Sequence, residues 1–194
     1  GELTEVPELV GQPRPALLLP NDDDLTYAKI RLDAVSLQSL VTGIGALDSA
    51  LARALCWGAA WDMCRDAEFA AAEFVELVLA GIDTETDSTA FQALLGQSRM
   101  AIDHYVPPVR RAEVNERFVA GLARLLKAAV PGSDNQLNYA RSLASAATTD
   151  VETAVVKAWL DGEESPEGLA IDTDLRWHLL TQLARTGAVG VAEI

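Results

Sequence analysis

Apolar residues recur every three or four positions over most of the chain, and this spacing predicts helices. Polar, glycine- or proline-containing breaks divide the pattern from residue 35 to residue 186 into segments. Because 3.6 residues make one helical turn, each segment would place its apolar side chains on one face. The predicted helices are eight: about 35–47, 50–64, 67–82, 88–104 and 108–130, two beginning near 133 and 149, and the last at about 173–186.

Several helix boundaries carry local signals. Pro107 and Pro108 stop the fourth helix, and the second proline suits the first turn of the fifth. Ser133 and Thr149 are each followed three residues later by Gln or Glu, which is the capping-box pattern. Gly187 follows the last helix, where glycine commonly ends a helix.

The first 33 residues follow a different pattern. Polar residues at positions 27, 29 and 31 alternate with apolar residues at 28, 30 and 32, which predicts a half-buried strand from Leu25 to Asp33. Asn21–Asp24 is a predicted turn, and Asp33 is a predicted N-cap for the first helix. Two or three strands are only marginally stable by themselves, so this segment must pack against the helices or against a neighbouring domain.

The predicted fold class is therefore all-α, with a short N-terminal β extension. Short connections between the helices favour antiparallel pairs. The pair period, near 35 to 40 residues, lies in the range of HEAT and armadillo superhelical arrays.

Net charge and composition argue against two classes of function, nucleic-acid binding and membrane binding. The formal net charge is −14, and 49% of residues are hydrophobic. An acidic surface repels nucleic-acid phosphates and anionic lipid, and no uninterrupted apolar run is long enough to span a bilayer. We therefore predict no nucleic-acid or membrane partner. Cys56 and Cys64 lie about 12 Å apart along one helix, beyond disulfide reach, and are expected to be reduced and buried, as in a cytoplasmic protein. The predicted location is therefore cytoplasmic.

No pattern in the chain predicts a catalytic or metal centre. His104 and His178 lack metal-ligand spacing, and no glycine-rich phosphate loop is present. The apolar surroundings expected for both cysteines raise a thiol pKa and blunt its nucleophilicity.

Two clusters of arginine and tryptophan leave a pair of interpretations open. Arg53, Trp57 and Trp61 are spaced by one helical turn, and Arg176 precedes Trp177. Each cluster is either part of a packed seam between helices or an aromatic wall whose arginine binds a peptide carboxylate. Arg53 and Arg176 are accordingly the candidate substrate-binding residues.

Three segments of the chain, Leu18–Lys29, Arg53–Met63 and Asp172–Trp177, carry a resemblance to known proteins. They resemble the corresponding segments of zinc aminopeptidases of the aminopeptidase N type. The resemblance is to the endoplasmic-reticulum-aminopeptidase-like C-terminal domain in its actinobacterial form, and it covers nearly the whole chain.

The resemblance implies a truncated piece of a metallopeptidase that removes N-terminal residues from peptides. Zinc and the catalytic residues would lie in an upstream catalytic domain, the partner of this one, so this fragment is expected to hold no cofactor and to be inactive alone. Residues 34–194 would form a helical cap that covers the active site and encloses the substrate chamber. Residues 1–33 would be a junction and the strand remnant of a preceding small β-domain.

A second hypothesis belongs to another class of protein. The chain would be an independent helical-repeat scaffold that binds a protein partner on its concave face.

Overall fold

The computed structural model describes residues 5–190, and this part of the chain confirms the all-α prediction. Two short 3-10 turns, Ile44–Ala46 and Ile82–Thr84, and a π-helical turn, Ala101–Tyr105, each extend the α-helix that precedes them. The eight α-helices of the described range are α1 (Ala34–Gly43), α2 (Ala50–Arg65), α3 (Ala71–Gly81), α4 (Ser88–Met100), α5 (Pro108–Ala128), α6 (Asp134–Ala146), α7 (Asp150–Leu160) and α8 (Thr173–Thr186).

The helices stack in two layers. In the first layer α1 packs on α3, and α3 packs on α5. In the second layer α2, α4, α6 and α8 follow one another, each in contact with the next. Helices that are consecutive in the chain also pack on each other: α5 packs on α6 and so joins the layers, and α7 packs on α8. This is the stack of helix pairs that the short connections predicted.

The core lies between the layers and is built from the periodic apolar positions. Phe74 of α3, Phe91 of α4 and Phe118 of α5 are completely or almost completely buried. Burying a side chain of this size stabilises the fold by about 1.5–3 kcal/mol. The array is therefore held together by continuous apolar packing.

The two predicted capping boxes differ. At α7, Thr149 accepts from the Glu152 N–H while the Glu152 carboxylate accepts from the Thr149 N–H, so the box is complete. At α6, Ser133 accepts from the Gln136 N–H, but the Gln136 side chain accepts from the N–H of Gly132 instead. The sequence therefore predicted both helix starts and only one complete box.

The predicted strand from Leu25 to Asp33 does not form. The segment has no regular secondary structure, and no β-strand occurs between residues 5 and 190. Ile30 and Leu32 are buried as the alternation predicted, whereas Ala28 is exposed. The reason is that the apolar side chains pack directly on the helical core, so no neighbouring strand offers the backbone a hydrogen-bonding edge.

Polar contacts tie this N-terminal segment to the helices. Asp33 caps α1 as predicted, accepting from the N–H groups of Val35 and Ser36. Arg14 pairs with Asp33, and Lys29 and Arg31 both bind the Asp66 carboxylate after α2. These contacts place the segment against one end of the array.

Candidate functional site

Arg53 lies in the interior of the protein. It is 9% exposed, and its Nε donates to Oε1 of Glu85 across 3.0 Å. The same guanidinium donates from Nη1 to the Leu47 carbonyl at 2.7 Å. Trp57 donates from Nε1 to the same Glu85 oxygen at 2.8 Å. Arg53 therefore joins α2 to the segments before α2 and after α3.

The tryptophans of α2 pack against neighbouring elements, as expected if the cluster is a contact between helices. Trp57 is buried, and Trp61 packs with ring centroids 5.2 Å from Phe74 and 5.9 Å from Tyr105. A tilted arrangement at these separations is typical of favourable aromatic packing. The α2 cluster is thus a helix–helix contact.

Arg176, the other candidate, lies on the exposed side of α8. Its Nη1 donates to the Leu160 carbonyl at 2.9 Å, which supplies a partner to an otherwise unpaired carbonyl at the end of α7. The neighbouring Trp177 is 55% exposed. Arg176 and Trp177 therefore lie at the surface, whereas Arg53 and Trp57 do not.

The cysteines confirm the sequence prediction. Cys56 and Cys64 are free and buried, and burial raises the pKa of each thiol to about 11. A thiol with so high a pKa is almost wholly protonated near pH 7, so neither is an activated nucleophile.

The histidines serve different local roles. His178 lies with Nε2 3.0 Å from the Arg141 carbonyl and 3.2 Å from Oγ of Ser145, which links α8 to α6. His104 belongs to the π-helical turn after α4. Within residues 5–190 no three His, Cys, Asp or Glu side chains are grouped to hold a metal ion, so the described residues do not fit a zinc site.

A cleft between α4 and α6 is the feature that sequence reasoning missed. It has a volume of about 290 Å³, and its floor is formed by Leu95 and Gly96 of α4 with Phe118 of α5 beneath. Polar side chains surround this floor: Gln92, Arg99, Asn138, Arg141, Ser142 and Ser145. The available signal was Gly96, because a glycine inside a helical pattern lowers helix stability and can mark a position where small size serves packing or binding.

Across the described part of the chain, no helix combines the length and the apolar character needed to cross a bilayer.

Comparison with known proteins identifies the family. Residues 17–194 match the ERAP1-like C-terminal domain. The chain is also similar to an aminopeptidase N from Streptomyces lividans, with 47% identity over all 194 residues. It spans only 23% of the length of that relative. The chain therefore belongs to the family of ERAP1-like C-terminal domains, and is similar to that part of an aminopeptidase N.

Proposed function

We propose that this chain is the non-catalytic C-terminal cap of a zinc-dependent aminopeptidase that removes N-terminal residues from peptides. The observation that carries the proposal is the match of the whole chain to a small part of an aminopeptidase N. In this proposal the upstream catalytic domain holds the zinc and cleaves the peptide. The helical array covers the active site and encloses the substrate chamber.

The burial of the reactive side chains supports a non-catalytic role for this domain. Cys56 and Cys64 are buried with raised pKa values, and Arg53 is bound by Glu85. The buried thiols are not presented to a substrate, and Arg53 could meet one only if its contact with Glu85 were broken. The family match also favours the enzyme domain over the independent scaffold hypothesis.

We further propose that residues 1–33 are the junction with a preceding small β-domain and that the parent enzyme is cytoplasmic. The family match begins at residue 17, within this segment. The ion pairs of Lys29 and Arg31 with Asp66 would fix the direction in which the upstream chain approaches the helices.

Of the two predicted substrate contacts, Arg176 is the more accessible. Arg176 and the next residue, Trp177, are both exposed, so a peptide group can approach Arg176 without rearrangement of the core. Contact with a peptide at Arg53 would require the separation of Arg53 from Glu85. We propose that Arg176 meets the distal part of a peptide, with Arg53 as the less accessible candidate.

An assay of this chain alone and of the full-length aminopeptidase tests the proposal. With zinc added, the folded chain should not hydrolyse a chromogenic leucyl substrate, whereas the full-length enzyme should. The full-length enzyme should also cleave a free peptide far faster than the same N-terminal sequence on a folded protein. Turnover by the chain alone, or equal cleavage of both substrates by the full-length enzyme, would overturn it.

A further inference from the structure

We propose that a second cleft, at one edge of the array, binds a free α-amino acid with an apolar side chain. This edge cleft lies where α3 and α5 end and α6 begins, and its lining includes Asp83, Arg124 and Tyr139. Its volume is about 350 Å³, within the range of ligand pockets. No described residue lines both this cleft and the one between α4 and α6.

The first observation is a buried hydroxyl without a partner. Tyr139 lines the edge cleft and is 2% exposed, and its hydroxyl makes no hydrogen bond within the described structure. The Tyr139 ring packs on Phe91 of α4, with ring centroids 5.0 Å apart, which holds the side chain in position. Because a buried polar group without a partner is costly, a ligand oxygen that enters the cleft and accepts from this hydroxyl is stabilised.

Two opposite charges line the same cleft and are not paired with each other. Among the described residues, neither Asp83 nor Arg124 takes part in an ion pair. Both charges act on Tyr139: burial raises the pKa of its hydroxyl, Asp83 raises that pKa further, and Arg124 lowers it. The Tyr139 hydroxyl therefore stays protonated near pH 7 and remains a donor.

Arg124 is positioned and still has free donors. Its Nη2 donates to the Leu79 carbonyl near the end of α3 at 3.0 Å. The rest of the guanidinium has no acceptor among the described residues. One bond thus anchors the side chain, and the remaining nitrogens can bind a carboxylate in the geometry that guanidinium groups favour.

The combination of charges indicates the class of ligand. Arg124 and the Tyr139 hydroxyl need an acceptor oxygen, whereas the Asp83 carboxylate needs a donor. Asp83 would repel a simple anion, and Arg124 would repel a simple cation. A zwitterion, with a carboxylate for Arg124 and an ammonium group for Asp83, satisfies both charges at once.

The rest of the lining accounts for an apolar side chain on the ligand. Leu125 is 3% exposed, whereas Val130 is 72% exposed, and Ala128 and Ala129 line the cleft with them. A ligand side chain placed against these residues is removed from water together with the exposed Val130. A free amino acid such as leucine carries the carboxylate, the ammonium group and the apolar side chain on one carbon atom.

Calorimetric titration of the full-length protein with L-leucine tests the proposal. An excess of a tight-binding inhibitor keeps leucine out of the active site of the proposed enzyme. Leucine should bind with a Kd of about 1 mM or less. Isocaproate lacks the ammonium group and isoamylamine lacks the carboxylate, so each should bind about tenfold more weakly. The absence of saturable leucine binding up to about 20 mM, or equal binding of isocaproate and leucine, would overturn the proposal.

Three substitutions test whether leucine binds in this cleft. Tyr139→Phe removes the unpaired hydroxyl and keeps the ring, so the fold should lose no stability while the Kd for leucine rises about threefold to tenfold. Arg124→Gln should raise the Kd for leucine about tenfold. Asp83→Asn should raise the Kd for leucine about threefold to fivefold and leave the Kd for isocaproate unchanged.

Arg110→Gln is the matched control for Arg124→Gln, because it removes the same charge from the same helix, α5. Arg110 forms an exposed pair with Glu113 and does not line the cleft, so this variant should bind leucine like the wild type. If Arg124→Gln and Tyr139→Phe also bind leucine like the wild type, the site is overturned. Failure of the proposed function would be seen separately, as absence of peptide hydrolysis, which this titration does not measure.

Discussion

Arg53 and Glu85 form an ion pair that is almost entirely removed from solvent. Their side chains are 10% and 7% exposed, and the Arg53 Nε lies 3.0 Å from the Glu85 Oε1. Trp57 donates to the same carboxylate oxygen. Glu85 therefore satisfies two buried donors that belong to α2, although it lies in the connection between α3 and α4.

Replacing Glu85 should destabilise the fold strongly. Glu85→Ala leaves the Arg53 charge and the Trp57 N–H buried without their acceptor. Breaking such a pair by removal of one partner typically costs about 3–5 kcal/mol. Denaturant unfolding of the purified chain, followed by circular dichroism, should show a loss of that size in the free energy of unfolding.

Glu68→Ala provides the comparison for this prediction. Glu68 pairs with Arg31 at 2.7 Å, but the two side chains are 48% and 34% exposed. Its loss should cost at most about 1 kcal/mol. Equal costs for the two substitutions would show that the burial of the Arg53–Glu85 pair does not determine its contribution.

Gly168 should not tolerate a side chain. Its φ is +78°, and a built Cβ would lie 2.5 Å from the Pro131 Cβ and 2.8 Å from the Gly132 backbone nitrogen. Gly168→Ala therefore suffers both left-handed strain and a clash with atoms that cannot move aside easily. Gly187 has the same φ of +78°, but no atom lies within 4 Å of a Cβ built there. Gly187→Ala therefore measures the backbone strain without a clash.

The difference between the two glycine variants should measure the clash. We expect Gly187→Ala to lower the free energy of unfolding by about 1–2 kcal/mol and Gly168→Ala to lower it by about 1–3 kcal/mol more. Thermal and denaturant unfolding check both values. Indistinguishable variants would contradict the close approach of the loop before α8 to the end of α5.

Asp33 should make stability depend on pH in the acid range. Hydrogen bonding from Arg14, then from the Ser36 N–H, holds the pKa of Asp33 well below its ordinary value of 3.8. Because the folded state prefers the carboxylate, Asp33 stabilises the protein above the ordinary pKa. This contribution is lost as the pH falls from there through the lower folded-state pKa.

Asp33→Asn tests this pH dependence, since asparagine can still cap a helix but carries no charge. The wild-type chain should be more stable than the variant at pH 7, and their urea midpoints should converge below about pH 4. Asp23→Asn, in the exposed turn that precedes residues 25–33, removes one negative charge as well and is the control substitution. Midpoints that stay equally far apart at every pH would contradict the role of the Arg14–Asp33 pair.

Helix boundaries could be predicted where residues typical of a helix start and of a helix end were both present in the sequence. The bounds of α8, Thr173–Thr186, agree with the prediction residue for residue, because Asp172 caps the helix and Gly187 ends it. The start of α3 was predicted four residues early. Ala67 adopts a φ of +63°, and no glycine or proline marks the break in sequence.

The candidate site was less accessible to sequence reasoning. The position of Arg176 on α8 followed from periodicity, but its contact with the Leu160 carbonyl depends on how α7 packs against α8. The cleft between α4 and α6 is lined by two helices that α5 separates in the chain. The Arg176 contact has no short-range sequence signal, and the cleft has only one, the glycine at position 96.

The sequence by itself determined the helical segments, most of their ends and the family of the domain. The helical segments and their ends depend on apolar spacing and capping within a few residues, which act before distant parts of the chain meet. The family was indicated separately, by the resemblance of three segments of the chain to known proteins. Tertiary structure alone decided that Arg53 is bound by Glu85, 32 residues later, and that the segment before Asp33 packs on helices. The reason is physical: whether a charge is buried or a strand has a partner depends on which distant groups the folded chain places beside it.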